Sequence, residues 1–365
     1  MLYRKLVKPL LFRIDPEKIH NRTIAGLRLA ANVPGVLPAM RAICGVQATR
    51  KLAVDVFGLH FHNPVGLAAG LDKNGAAIPA FSSFGFGFVE VGTVTPKPQP
   101  GNELPRLFRL PEDEALINRM GFNNAGAQAL AEKMRALRIR PVPVAINIGK
   151  NKTTPNEQAV NDYRACIDTL YEYGDFFVVN ISSPNTPDLR KLQYGDFLQT
   201  LLNAVVREMR RKAGDRPVKP ALVKIAPDVA PDELQLMAET IAASGISGII
   251  ATNTTVARQG LKSGHAAETG GLSGKPLNKR STEVIRALYR ATNGKLPIIG
   301  SGGIFTAEDA YAKIRAGASL VEVYTALIYQ GPGIVKKINA GLLKLMQQDG
   351  IHHISQAVGL DAMAE

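Results

Sequence analysis

Eight apolar runs, helical patterns between most of them, and a concentration of amides, hydroxyls, lysines and glycines where the runs end predict an α/β chain. Its expected fold is a parallel (β/α)8 TIM barrel with a small N-terminal helical extension. The runs fall near 65–69, 87–93, 142–148, 176–182, 221–226, 248–253, 297–301 and 320–324. Runs apolar at successive positions are buried on both faces, as parallel barrel strands are. Helical patterns lie near 124–137, 157–173, 195–213, 231–243, 281–292, 306–316 and 332–347. A doubly wound open sheet uses the same units, but eight repeats favour closure.

The barrel does not start at the N-terminus. Residues 2–14 place Leu2, Tyr3, Leu6, Val7, Leu10, Leu11 and Ile14 at helical spacing, with a bend or split expected at Pro9. Asp15-Pro16-Glu17 reads as an N-cap, an N1 proline and an acidic first turn, opening a second helix through about Ala31. The net charge is +13, and residues 1–50 hold nine Lys or Arg against only Asp15 and Glu17. Two basic amphipathic helices suit an anionic membrane surface or a cap on the core. Val33–Pro38 (VPGVLP) reads as a linker, and the alternation from Leu52 to Phe61 as a hairpin turning near Gly58. The expected organisation is thus an extension over 1–45, a barrel over 46–350 and a tail over 351–365, to which no role is assigned.

Composition narrows the function. Cys44 and Cys166 are far apart in sequence, which points away from a disulfide framework and toward a reducing compartment. No apolar run approaches the roughly 18 residues that span a bilayer. His, Cys, Asp and Glu show no metal spacing, and no carboxylate pair near the strand ends suits hydrolysis, so no metal is expected. Nucleic-acid binding is disfavoured because aromatics are 6%, Trp is absent, and the basic excess lies among apolar helix positions. No obligate protein partner is evident.

Chemistry in such barrels sits at the C-terminal ends of the strands. Those ends carry Gly70, Asp72 and Lys73; Thr93; Asn147; Asn180 and Ser183; Lys224; Thr252, Asn253 and Thr254; Gly302 and Gly303; Tyr324 and Thr325. In FFVVNISSPNTP, Phe176–Pro187, a buried strand opens onto amides and hydroxyls, which read either as the floor of a small-molecule site or as a polar turn. Gly300–Asp309 (GSGGIFTAED) is a glycine turn entering a helix, suited to cradle a phosphate or simply to reverse the chain. Gly270–Leu277 (GGLSGKPL) adds glycines in the loop after the sixth strand. Lys224 is expected to face the barrel mouth, where a fixed cation stabilises an anionic flavin or enolate, or to reach solvent. Lys73 has a similar position, with Asp72 as its expected ion partner.

Taken together, AAGLDKNG, VGTVTPKPQPGNELPRLFRL, NRMGFNN, INIGKNK, VNISSPNTPDLR, KIAPD, IATNTT, GLSGKPL and GSGGI resemble dihydroorotate dehydrogenase, and more narrowly its membrane-associated, quinone-linked class 2. The motifs follow in order over nearly the whole chain. The resemblance implies oxidation of dihydroorotate to orotate in pyrimidine synthesis, with one FMN and a membrane quinone as electron acceptor. It implies Ser183 as the general base and flavin N5 as the hydride acceptor. FMN contacts fall on Ala69, Gly70, Leu71, Asp72, Lys73, Thr93, Asn147, Asn180, Lys224, Thr252, Gly274, Gly303, Tyr324 and Thr325. Substrate contacts fall on Lys73, Asn118, Arg119, Met120, Gly121, Phe122, Asn180, Asn185, Asn253 and Thr254. His20, Arg109 and Tyr324 match positions facing the quinone, beneath an extension that docks residues 1–40 on the membrane. The implied location is the cytoplasmic face of a bacterial cell membrane, with the mitochondrial inner membrane less favoured. Another FMN oxidoreductase on the same barrel is the rival reading; Ser183, where the other major class carries cysteine, and the basic amphipathic start argue against it.

Overall fold

The computed structural model describes residues 3–137 and 140–363, so Leu2 and the last two residues of the tail lie outside the described residues. The N-terminal pattern is split at Pro9, as its missing N–H requires. A π-type turn, Tyr3–Val7, leads into α1 (Lys8–Leu11), with the proline in the first turn. In α2 (Pro16–Ala30) the Asp15 carboxylate accepts from the N–H groups of Glu17 and Lys18 at 3.1 and 2.9 Å. The expected linker is partly wrong: α3 (Val36–Cys44) starts inside it. Pro38 is its third residue, where the N–H has no intrahelical acceptor, so proline is tolerated.

The strands in chain order are β1 (Val54–Val56), β2 (Leu59–Phe61), β3 (Val65–Leu67), β4 (Phe88–Val94), β5 (Leu107–Leu110), β6 (Ala115–Asn118), β7 (Val144–Ile148), β8 (Phe176–Asn180), β9 (Ala221–Ile225), β10 (Gly248–Ala251), β11 (Gly271–Gly274), β12 (Ile298–Ser301) and β13 (Ala318–Val323). Eight of them close a parallel barrel in the order β10-β12-β13-β3-β4-β7-β8-β9, each corresponding to an expected run. Every residue of β4, β7, β8 and β9 is buried. That is why these strands read as continuous apolar runs rather than alternating ones.

The expected hairpin is β1–β2, paired Val54 to Phe61, and it plugs the base of the barrel. Phe57 stacks on Phe176 with centroids 6.4 Å apart, and Phe61 meets Phe88 edge-on at 5.5 Å. Gly66 faces this plug; a Cβ there would lie 2.1 Å from the Phe88 ring.

Every expected helix after the barrel begins is present with ends shifted by a few residues; the 195–213 pattern is Gly195–Ala213. Two short helices were not anticipated, Ile78–Ser83 and Thr325–Gln330. Nor was a three-stranded antiparallel sheet, β11-β6-β5, beside the barrel. Its third strand is the glycine-rich Gly271–Gly274, expected to be loop, which pairs residue for residue with Asn118–Ala115. The tail also has structure. Ile354 and Ala357 are buried, the Ile354 N–H donates to the Lys51 carbonyl, and Asp361 pairs with Arg315.

Candidate active site

At the C-terminal ends of the barrel strands a single cavity gathers most of the expected residues. Ala69, Gly70, Lys73, Thr93, Asn180, Ser183, Lys224, Thr252, Asn253, Thr254, Gly303, Tyr324 and Thr325 line it from the barrel. Asn118, Met120, Gly121, Phe122 and Gly274 line it from the antiparallel sheet and its loops. Asn185 comes from the loop after β8, and His20 from α2.

The amides form two hydrogen-bonded groups. Asn180 Nδ2 donates to Thr93 Oγ1 at 2.9 Å and to Asn147 Oδ1 at 3.2 Å. Asn253 Nδ2 donates to Ser182 Oγ at 3.0 Å, and Asn185 Nδ2 to Asn118 Oδ1 at 3.2 Å. The two adjacent serines are thereby separated. Ser182 is fully buried and used by Asn180 and Asn253. Ser183 faces the cavity, and its Oγ accepts only from the Asn185 N–H, at 3.2 Å, among the described residues. Arg190 clamps this loop, donating to the carbonyls of Ser182 and Thr254 and to the Asp228 carboxylate at 3.1, 3.0 and 2.9 Å.

Lys224 faces the cavity as its strand-end position implies, but its partners were not expected. Its ammonium is held inside the barrel by Glu90 Oε2 at 2.8 Å and Glu322 Oε2 at 3.2 Å. Burial alone would lower its pKa; the Glu322 and Glu90 carboxylates outweigh that and hold it above the usual lysine value. Both glutamates were missed from sequence. The available signal was a charged residue in a strand otherwise apolar on both faces, GFVEVGT and LVEVY, which must find a partner inside.

The Asp72–Lys73 ion pair does need correction. Asp72 is buried and accepts from the N–H groups of Ala76 and Ala77, both at 2.7 Å, so it fixes the turn. The Lys73 ammonium makes no hydrogen bond among the described residues, and burial lowers its pKa to about 8, with Glu17 opposing. His20 is driven to about 3 by burial and then by Lys73, so its imidazole is neutral.

Five expected contact residues do not line the cavity. Leu71 packs in the core, and Asp72 holds its turn. Asn147 stands behind Thr93 and donates to Glu90 Oε1 at 2.7 Å, so it reaches the cavity only through others. Arg119 turns outward to Glu268 at 2.7 Å and over the Phe108 ring at 4.5 Å. Arg109 binds the Phe12 and Ile14 carbonyls at 3.0 and 2.9 Å and lies over the Phe12 ring. It therefore ties the extension to the barrel. Arg106 does the same through Glu17, at 2.7 Å with both side chains nearly buried.

The glycine turn has the geometry of an anion cradle. Gly302 and Gly303 have φ of +122° and +69° and line the cavity with Ile304. Among the described residues, no acceptor takes the N–H groups of these three positions. Three consecutive free donors before a helix are what a phosphate requires. A Cβ on Gly303 would lie 2.5 Å from the Asn278 nitrogen, so only glycine fits. No group of three or more His, Cys, Asp or Glu among the described residues suits a metal.

Comparison with known proteins identifies the family. The family model for dihydroorotate dehydrogenase matches residues 51–346. A dihydroorotate dehydrogenase (quinone) of Deinococcus deserti is 54% identical over 99% of this chain and 100% of its own length. Its counterpart in Deinococcus radiodurans is 53% identical, covering 97% of this chain and 98% of that protein. Among solved structures, DHODH from Eimeria tenella in complex with ferulenol superposes with a TM-score of 0.85 at 40% identity, covering 96% of both chains. With the extension included in the full-length matches and the barrel course shared, this chain belongs to the dihydroorotate dehydrogenase family, among its quinone-linked enzymes.

Proposed function

We propose that the chain oxidises (S)-dihydroorotate to orotate with FMN and passes the electrons to a membrane quinone, Ser183 serving as general base. The observation that carries this reading is convergence in one cavity. Ser183, four asparagines (Asn118, Asn180, Asn185 and Asn253), the Lys224 ammonium and the free N–H groups of Gly302–Ile304 all meet there.

The residues fit FMN. The glycine cradle takes the phosphate, and Thr93, Asn180, Lys224 and Thr252 supply polar atoms for the ring. When bound, FMN supplies the hydride acceptor, its N5. For a small anionic ring with a carboxylate and an imide, Lys73 meets the charge, and the amides offer donors and acceptors to both polar edges. Ser183 Oγ takes the proton from the ring carbon. Neutral His20 and the Tyr324 hydroxyl, whose pKa burial pushes up to about 12, give the quinone neutral polar partners.

No residue of α1, α2 or α3 is fully buried, and Leu6, Leu10, Leu29, Val33 and Ile43 are exposed among Arg and Lys. This supports peripheral docking on an anionic membrane, and the location we propose is the cytoplasmic face of a bacterial cell; no helix among the described residues is long and apolar enough to cross the membrane. Purified protein given dihydroorotate and a short-chain ubiquinone or menaquinone is expected to release orotate catalytically. Turnover with fumarate or NAD alone would overturn the quinone assignment.

A pH dependence follows from Lys73. Its ammonium is present below pH about 8 and lost as pH rises through that value. Orotate affinity should therefore weaken above pH about 8, by about tenfold per pH unit for one linked proton. Titration calorimetry across that range measures it, and a flat profile would remove Lys73 from the carboxylate site.

A further inference from the structure

Glu90, Lys224 and Glu322 place two carboxylates and one ammonium at the buried floor of the cavity, which Lys224 and Glu322 help to line, with side-chain exposures of 0%, 6% and 0%. If both acids were ionised, this trio would carry an uncompensated negative charge in a medium that solvates it poorly. The two acids are not equivalent. Glu90 is fully supplied with donors: the Ala69 N–H at 2.7 Å and Lys224 Nζ at 2.8 Å on Oε2, and Asn147 Nδ2 at 2.7 Å on Oε1. Glu322 has only Lys224 at 3.2 Å on Oε2; its Oε1 is buried with no hydrogen-bond partner among the described residues.

We infer that Glu322 is a neutral carboxylic acid at physiological pH, storing one proton beneath the flavin site, so that the floor of the cavity is uncharged overall. A carboxylate with one unsatisfied buried oxygen is unstable, whereas a carboxylic acid can direct its O–H toward the neighbouring Glu90. Burial and then the Glu90 charge push the Glu322 pKa up to about 8, with Lys224 opposing. The stored proton is therefore released as pH rises through about 8, which leaves a net negative charge below the cavity.

The consequence for a flavin held there rests on the proposed function. Negative charge nearby opposes addition of electrons, so Glu322 sets how readily the cofactor is reduced. The other titratable groups facing the cavity are Lys73 from the loop after β3, His20 from α2 and Tyr324 after β13. His20 and Tyr324 titrate far from this window, at about 3 and about 12. Lys73 shares the window, so the diagnostic quantity is the difference between two proteins that both retain it.

Two measurements test the inference. Infrared difference spectra of the purified protein against pH are expected to show a protonated-carboxyl C=O band that disappears above pH about 8 and is missing in Glu322→Gln. The substitution keeps the side-chain shape and the neutral state. The midpoint potential of bound FMN is expected to show an added inflection toward more negative values above that pH in wild type, absent from Glu322→Gln. A band that survives in Glu322→Gln but vanishes in Glu90→Gln would overturn the assignment, as would identical potential profiles for wild type and Glu322→Gln. Failure to bind FMN would refute the cofactor reading, while the infrared test of the proton would still stand or fall separately.

Discussion

Substituting Ser183 by alanine is expected to slow reduction of bound FMN by dihydroorotate at least about a hundredfold, the lower end of what general base catalysis contributes. The side chain lines the cavity, and its Oγ accepts one backbone N–H, so truncation removes one loop hydrogen bond and the proton acceptor. Retained folding and flavin binding are expected, because the glycine cradle and Lys224 are untouched; the variant should stay yellow. No carboxylate or imidazole is hydrogen-bonded to Ser183 among the described residues, so its basicity is not supplied by a triad. Stopped-flow reduction within about tenfold of wild type would take the role of base away from Ser183.

Deleting residues 1–44 is expected to lower quinone reduction by roughly tenfold or more, the effect of losing at least about 1.4 kcal/mol of binding energy. His20 leaves with α2, and that helix lines the cavity. Flavin reduction by dihydroorotate should persist, since α1–α3 bury no residue fully and the barrel core is made elsewhere. Vesicle sedimentation with anionic lipid should lose the protein from the pellet at the same time. Undiminished quinone turnover by a truncated yellow protein would refute the role of the extension. The deletion leaves Arg106 without Glu17, so a stability measurement belongs beside the assay.

The barrel was legible because its strands are buried on both faces and its helices on one, and these produce different periods in the sequence. The antiparallel sheet was not, because β11 joins β6 from about 150 residues away and its glycines carry no strand pattern. Cavity residues on strand ends could be read by position; inward-facing groups deeper in a strand could not, since facing inward depends on barrel closure. Lys224 was therefore read from its strand-end position without its partners Glu90 and Glu322. Long arginine side chains misled for the opposite reason. Arg109 and Arg119 begin beside the site and end at the extension and at Glu268.

The tail and the hairpin lie at the base of the barrel, where Ile354 is joined to Lys51 and Asp361 to Arg315, while the cavity and the basic helices occupy the opposite end. The molecule consequently has a handle and a working face. Immobilised by a tag appended beyond the tail, it would stand with its mouth and basic helices turned to the flowing solution. That orientation lets vesicle capture and inhibitor residence be followed on a sensor surface without the support blocking either.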